Sequence, residues 1–130
     1  MHQQDPARPA RVFGEDELSV ADPTPGMTRR LAFRTDRTWT GTVETAPGVA
    51  SGWHHHGDHD STLYVVAGTL RMQSGPGGTV VADAGPGDFL HIPPYAVHRE
   101  SNPGEVTSRA VIVRAGEGVP TINVDGPAPA

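Results

Sequence analysis

From Met27 to Ala115 the chain is built of short runs in which apolar residues alternate with polar ones or fill the run. The runs cover 27–34, 38–46, 51–56, 62–67, 69–74, 79–84, 88–93, 96–101 and 106–115. Between them stand APG, GDHD, a single glycine, GPGG, GPG, PP and NPG, all of them turn signals. No helical pattern separates the runs, so their spacing predicts an all-β sandwich or barrel in a single domain. GPGG at 75–78 and GPG at 85–87 resemble each other but read as turns, not as an internal repeat. Residues 15–26 read as a loop with one helical turn. Residues 1–10 and 116–130 read as flexible tails expected to fray, which leaves 11–115 as the folded domain.

Composition supports this picture. Sixteen Gly and thirteen Pro in 130 residues suit many strands and tight turns better than long helices. At 35% hydrophobic residues the core is compact. The net charge of -5 argues against a nucleic-acid partner, because phosphate binding needs a basic face. All ten basic residues are Arg, which excludes Schiff-base chemistry on lysine. With no cysteine, any metal must be held by His, Asp, Glu or water. The N-terminus has no apolar stretch suited to a signal peptide, and no run approaches the ~20 apolar residues of a membrane span. A cytoplasmic protein with no membrane partner is expected.

The candidate chemistry lies in 53-WHHHGDHDS-61, which holds four of the seven histidines. On a strand, His54 and His56 share one face and His55 takes the other. An H-x-H pair of this kind can grip one ion. Asp60 can swing in from the following turn, and His98 can close the site if its strand lies alongside. Three imidazoles and a carboxylate suit a divalent first-row metal with positions left for water or substrate.

Two stretches carry a resemblance. Gly48-x5-His54-x-His56-x3-Asp60 with Gly68 resembles the first cupin motif. Gly87-x5-Pro93-x-Tyr95-x2-His98-x3-Asn102 resembles the second. The resemblance implies a double-stranded β-helix, or jelly-roll barrel, with His54, His56 and His98 as metal ligands. It also implies one divalent transition metal (Fe, Mn, Zn or Ni), a small-molecule substrate and a homodimer exchanging segment 10–34. The implied activities are those of cupin dioxygenases, isomerases, lyases and decarboxylases; the alternative is a non-catalytic ligand-binding or sensing cupin. Two positions depart from the pattern. Asp60 stands where Glu is usual, with His59 as the alternative ligand; counting back six residues from Gly68 lands instead on Ser61, a poor donor. Tyr95 stands where Gly is usual, so a different turn is expected, or a phenol reaching the mouth of the site.

Other positions carry less. Glu100 shares strand parity with His98 and is a candidate acid or base, with Tyr95 as a second catalytic candidate. His55 and His91 read as surface or structural, and Asp88 as a turn cap. Trp39, Trp53, Tyr64 and Phe89 read mostly as core. Arg34, Arg71, Arg99 and Arg109 are the strand arginines weighed as inward ligands for a substrate carboxylate.

Overall fold

A computed structural model describes residues 5–130. Its strands are β1 (Ser19–Val20), β2 (Thr28–Arg34), β3 (Thr38–Thr45), β4 (His54–His55), β5 (Asp60–Ala67), β6 (Leu70–Ser74), β7 (Val80–Ala84), β8 (Phe89–Ile92), β9 (Arg99–Ser101), β10 (Ser108–Ala115) and β11 (Ile122–Asn123). Single 3-10 turns occupy Glu15–Glu17 and Pro76–Gly78. Six strands form one antiparallel sheet in the order β1-β2-β3-β10-β5-β8. The order β7-β6-β9 makes a second sheet, and β11 pairs with β4. Among the described residues no helix is long and apolar enough to cross a membrane.

Period-2 alternation decides which side chains face inward. On β5, Ser61, Leu63 and Val65 are buried while Asp60, Thr62, Tyr64 and Val66 are exposed. On β10, Ser108, Ala110, Ile112 and Arg114 are buried. The register sets Trp39, Arg114, Ser61 and Ile92 side by side across four strands, with Gly41, Ile112, Leu63 and Leu90 in the next inward row. Leu70, Met72 and Ala84 from the smaller sheet complete one core with Trp39, Val43, Leu63, Val65 and Ile112. Burying such side chains contributes roughly 1.5–3 kcal/mol each before the entropy of folding is counted. At Gly41 a Cβ would lie 2.0 Å from the Arg30 carbonyl, so the irregular β2–β3 pairing between Leu31 and Phe33 tolerates no side chain there.

The predicted all-β barrel is present, with differences at its ends. The expected tail 116–130 carries β11, whose Ile122 and Asn123 pair with His55 and His54. The edge of a two-residue strand leaves backbone groups needing partners, and the chain's own C-terminal segment meets them. Thr24 Oγ1 also donates to Asn123 Oδ1 (2.9 Å), and Gly77 N–H to the Ala128 carbonyl (2.8 Å). Of the other expected tail, residues 5–10 are exposed and residues 1–4 lie outside the described residues. The runs 51–56 and 96–101 shorten to β4 and β9 because His54 and His98 pair through an isolated bridge. Segment 10–34 contributes β1 and β2 to the chain's own sheet. Tyr64 and Phe89 are not core: their rings meet on the outer face of the large sheet, tilted at 52° with centroids 4.8 Å apart.

Candidate metal centre

The bridge between His54 and His98 joins the two motif-bearing segments, with backbone bonds of 2.9 Å in both directions. It brings His54, His56 and His98 together, all three buried. One ring nitrogen from each lies within 4.8 Å of the others. His55 faces the other way, as its parity predicts, and its Nδ1 accepts a bond from Gly57 N–H.

Each of the three rings is held from behind by a backbone carbonyl. His54 Nδ1 bonds the Gly52 carbonyl, His56 Nδ1 that of Pro120 and His98 Nδ1 that of Ala96, each at 2.8 Å. A carbonyl can only accept, so each Nδ1 carries the proton and each Nε2 presents a lone pair to the interior. This is how a metal-ligating imidazole is oriented.

The interior then poses an electrostatic problem. His56 Nε2 and His98 Nε2 stand 3.2 Å apart, lone pair towards lone pair. His54 Nε2 and Glu100 Oε2 stand 3.4 Å apart, both buried and without a hydrogen-bond partner. Four inward acceptors with no donor among them are costly in a dry site. One cation among the three imidazole nitrogens would satisfy them, so this histidine set fits a divalent metal, with the Glu100 carboxylate beside His54.

Electrostatics agree. Burial holds the His56 imidazole far below its ordinary value, and its neighbours Arg114, His98, His54 and Arg29 push the same way. Burial lowers His98 to about 4, with Glu100 opposing and His54 and Arg29 assisting. Both imidazoles are therefore neutral near pH 7, the state a metal requires. For Glu100, burial pushes upward, but the neighbouring side chains of His54, His98 and Arg29 outweigh it, leaving about 2. Glu100 is an ionised carboxylate in a protein interior.

A family model for the cupin domain matches residues 41–114, more than half of the chain. The chain belongs to the cupin family. Solved structures resemble this cupin over most of its length. KdgF from Halomonas sp. matches with 23% identity over 83% of this chain and 96% of its own, TM-score 0.68. The polyketide cyclase RemF from Streptomyces resistomycificus matches with 22% identity over 90% and 86%, TM-score 0.71. A variant of oxalate decarboxylase OxdC from Bacillus subtilis matches with 16% identity over 84% of this chain and 30% of its own, TM-score 0.70. At these identities the likeness is one of fold. No curated protein matches the sequence.

In this cupin the carboxylate comes from an unexpected strand. Asp60 opens β5 on its exposed parity and bonds His91 on the outer face, away from the three histidines. His59 is buried, but its Nδ1 bonds the His56 carbonyl (2.8 Å) and it lies outside the cluster. The inward position is Ser61, fully buried, its Oγ without a partner. Glu100, two residues beyond His98, supplies the carboxylate beside the imidazoles. Tyr95 does not reach the site. It is 63% exposed, its ring lies 6.0 Å from that of His55, and its φ of 63° is the left-handed conformation a glycine would take. The motif's turn is thus kept rather than replaced. Asp88 caps its turn as expected, accepting from Gly85 N–H at 2.9 Å.

The inward arginines are Arg29 and Arg114, neither among the four weighed from sequence. Arg71 pairs with Asp83 and Arg109 with Glu15, Arg99 lies over Trp53, and Arg34 is exposed. In 108-SRAVIVRA-115 both parities carry apolar residues, which hides the direction of Arg114. Its parity with Ile112 and Ala110 is a signal only once those two are known to face inward. The carbonyls of Gly52 and Ala96 were also legible in principle, each two residues before its histidine; that of Pro120 was not.

Proposed function

We propose that this cupin is a metal-dependent enzyme acting on a small organic molecule inside the barrel. The observation that carries the reading is the arrangement of His54, His56 and His98, each Nδ1 tied to a backbone carbonyl and each Nε2 turned inward. These three would hold the metal, with the Glu100 carboxylate standing beside His54. A divalent transition metal there supplies Lewis-acid polarisation of a carbonyl, carboxylate or enolate, or a binding position for dioxygen. Glu100 is also the one carboxylate among the described residues placed against the imidazoles, so it is the group to accept a proton from a substrate carbon or hydroxyl. Trp39, Leu63 and Ile112 belong to the apolar core of the same barrel. The resemblance in fold to a polyketide cyclase and to an oxalate decarboxylase supports small-molecule chemistry in such a barrel.

Elemental analysis of untagged protein tests the reading, with wild type beside His54→Ala and His98→Ala. Wild type should carry about one equivalent of a transition metal, and both variants should lose it. A wild-type protein that is empty and takes up no added Fe, Mn, Zn or Ni would instead favour a ligand-binding cupin without catalysis.

A further inference from the structure

Arg114 is among the largest fully buried side chains, 2% exposed, and points from β10 into the barrel. Its guanidinium lies 4.6 Å over the Trp39 ring. Among the described residues its Nε and Nη1 have no hydrogen-bond partner, and no carboxylate comes within ion-pair distance of it. The two carboxylates that influence it, Glu100 and Asp22, are engaged elsewhere: Glu100 stands against His54, and Asp22 accepts from Trp39 Nε1 at 2.8 Å. Arg29, the other buried guanidinium, bonds Thr24 Oγ1 (2.8 Å) and the Asp22 carbonyl and so has local partners. Directly across the ladder from Arg114 is Ser61, its hydroxyl also buried and unpartnered.

A buried charge without a partner is costly, and native proteins pair such groups. Burial and the charge of Arg29 lower Arg114 to about 9, against Glu100 and Asp22, so it remains charged near pH 7. Like the three histidines, it is buried in the interior of the same barrel. A divalent cation would add further positive charge and sharpen the need for an anion. Held over Trp39, the planar guanidinium offers N–H groups suited to a planar, two-oxygen acceptor.

We propose that Arg114, with the Ser61 hydroxyl beside it, binds a carboxylate group of the substrate and so places the rest of that molecule against the His54–His56–His98 site. The substrate class is therefore a small carboxylic acid. This inference rests on the function proposed above, but its test does not require a metal.

Calorimetric titration of the full chain with malonate and with pyruvate, metal-loaded and chelator-stripped, tests it. Dimethyl malonate and methyl pyruvate serve as neutral matches, and inorganic phosphate as the competing anion. At least one of the two acids should bind both forms, about tenfold or more tighter than its ester and than phosphate. Arg114→Met should lose about tenfold or more in affinity and melt no lower than wild type, because a buried unpaired charge has gone. Arg114→Lys, which keeps the charge but not the planar fork, should bind with intermediate affinity. In a Trp53→Phe background, adding the acid should change Trp39 fluorescence, and Arg114→Met should abolish that change. Failure of both acids to bind, equal binding of ester or phosphate, or unimpaired binding by Arg114→Met would overturn the proposal. Should Arg114→Met not fold, unimpaired binding by Arg114→Lys has the same force. Carboxylate binding through Arg114 in a protein that takes up no metal sinks the metal reading alone; a metal-loaded protein indifferent to both acids sinks this one alone.

Discussion

Asp60 with His91, and Glu100 with His54, are the same chemical pair in two settings. The first sits on the outer face of β5 and β8, with side chains 58% and 62% exposed. The second lies inside the barrel, at 3% and 0%. Water and salt screen the outer pair, and holding two side chains in one geometry offsets most of the attraction. The inner pair has no such screening. Burial alone would raise its carboxylate, but the neighbouring side chains of His54, His98 and Arg29 outweigh that and leave it ionised, at about 2. Setting, more than residue type, separates a surface contact from a donor set that calls for a cation.

The comparison breaks most readily at the metal. Glu100→Gln should weaken metal affinity by roughly 10–100-fold, whereas Asp60→Asn should change it by less than about twofold. Competition against a chromogenic chelator measures both. A large loss in Asp60→Asn with none in Glu100→Gln would reverse the roles assigned to the two carboxylates.

A smaller effect should come from the segment behind His56. Ending the chain after Gly116 removes the Pro120 carbonyl that holds His56 Nδ1, together with β11. Metal affinity should fall by about tenfold, as for other groups that orient a ligand. Circular dichroism should still report the barrel, since the sheet built on β3, β5 and β10 is intact. Unchanged affinity would show that the inward set of His56 does not depend on that carbonyl.

The two pairs also show what was legible from residues alone. The strands were, because alternation and turn residues are local signals; eight of the nine runs from Met27 overlap a β-strand in the large or the small sheet, and the ninth, 51–56, contains β4. The three histidines were, because H-x-H and the spacing to His98 are written in the chain. Residue chemistry alone favours Asp60 as a ligand, but strand parity turns it outward. Leu63 and Val65 face inward, so Ser61 must as well, and Asp60 must face out. Glu100, two residues from His98, shares that residue's inward parity and is buried beside His54. Arg114 was hidden because Val111 and Val113 make the outer face of β10 as apolar as the inner one. Pro120 was out of reach, since nothing local links a carbonyl near the C-terminus to a ring at position 56.

The outer pair itself can be measured. A double-mutant cycle on Asp60→Ala and His91→Ala should give a coupling within about 1 kcal/mol in chemical denaturation, falling with added salt. A coupling well above that, insensitive to salt, would show that the outer face is shielded in solution by something covering β5 and β8.

The smallest effect should come at Tyr95, where the family pattern has glycine. With φ at 63°, a tyrosine there stands in a region that costs an L-residue roughly 1–2 kcal/mol. Glycine removes that strain but returns about 0.5–1 kcal/mol through the greater freedom of the unfolded chain. The backbone bond from Tyr95 N–H to the Gly57 carbonyl needs no side chain and should survive. Tyr95→Gly should therefore shift stability by no more than about 1.5 kcal/mol, in the stabilising direction, and leave metal content unchanged. Denaturation midpoint and elemental analysis on the same preparation check both halves. A loss of metal would mean that the phenol, outside the barrel beside His55, supports the centre after all, and that the divide between outer and inner groups is drawn in the wrong place.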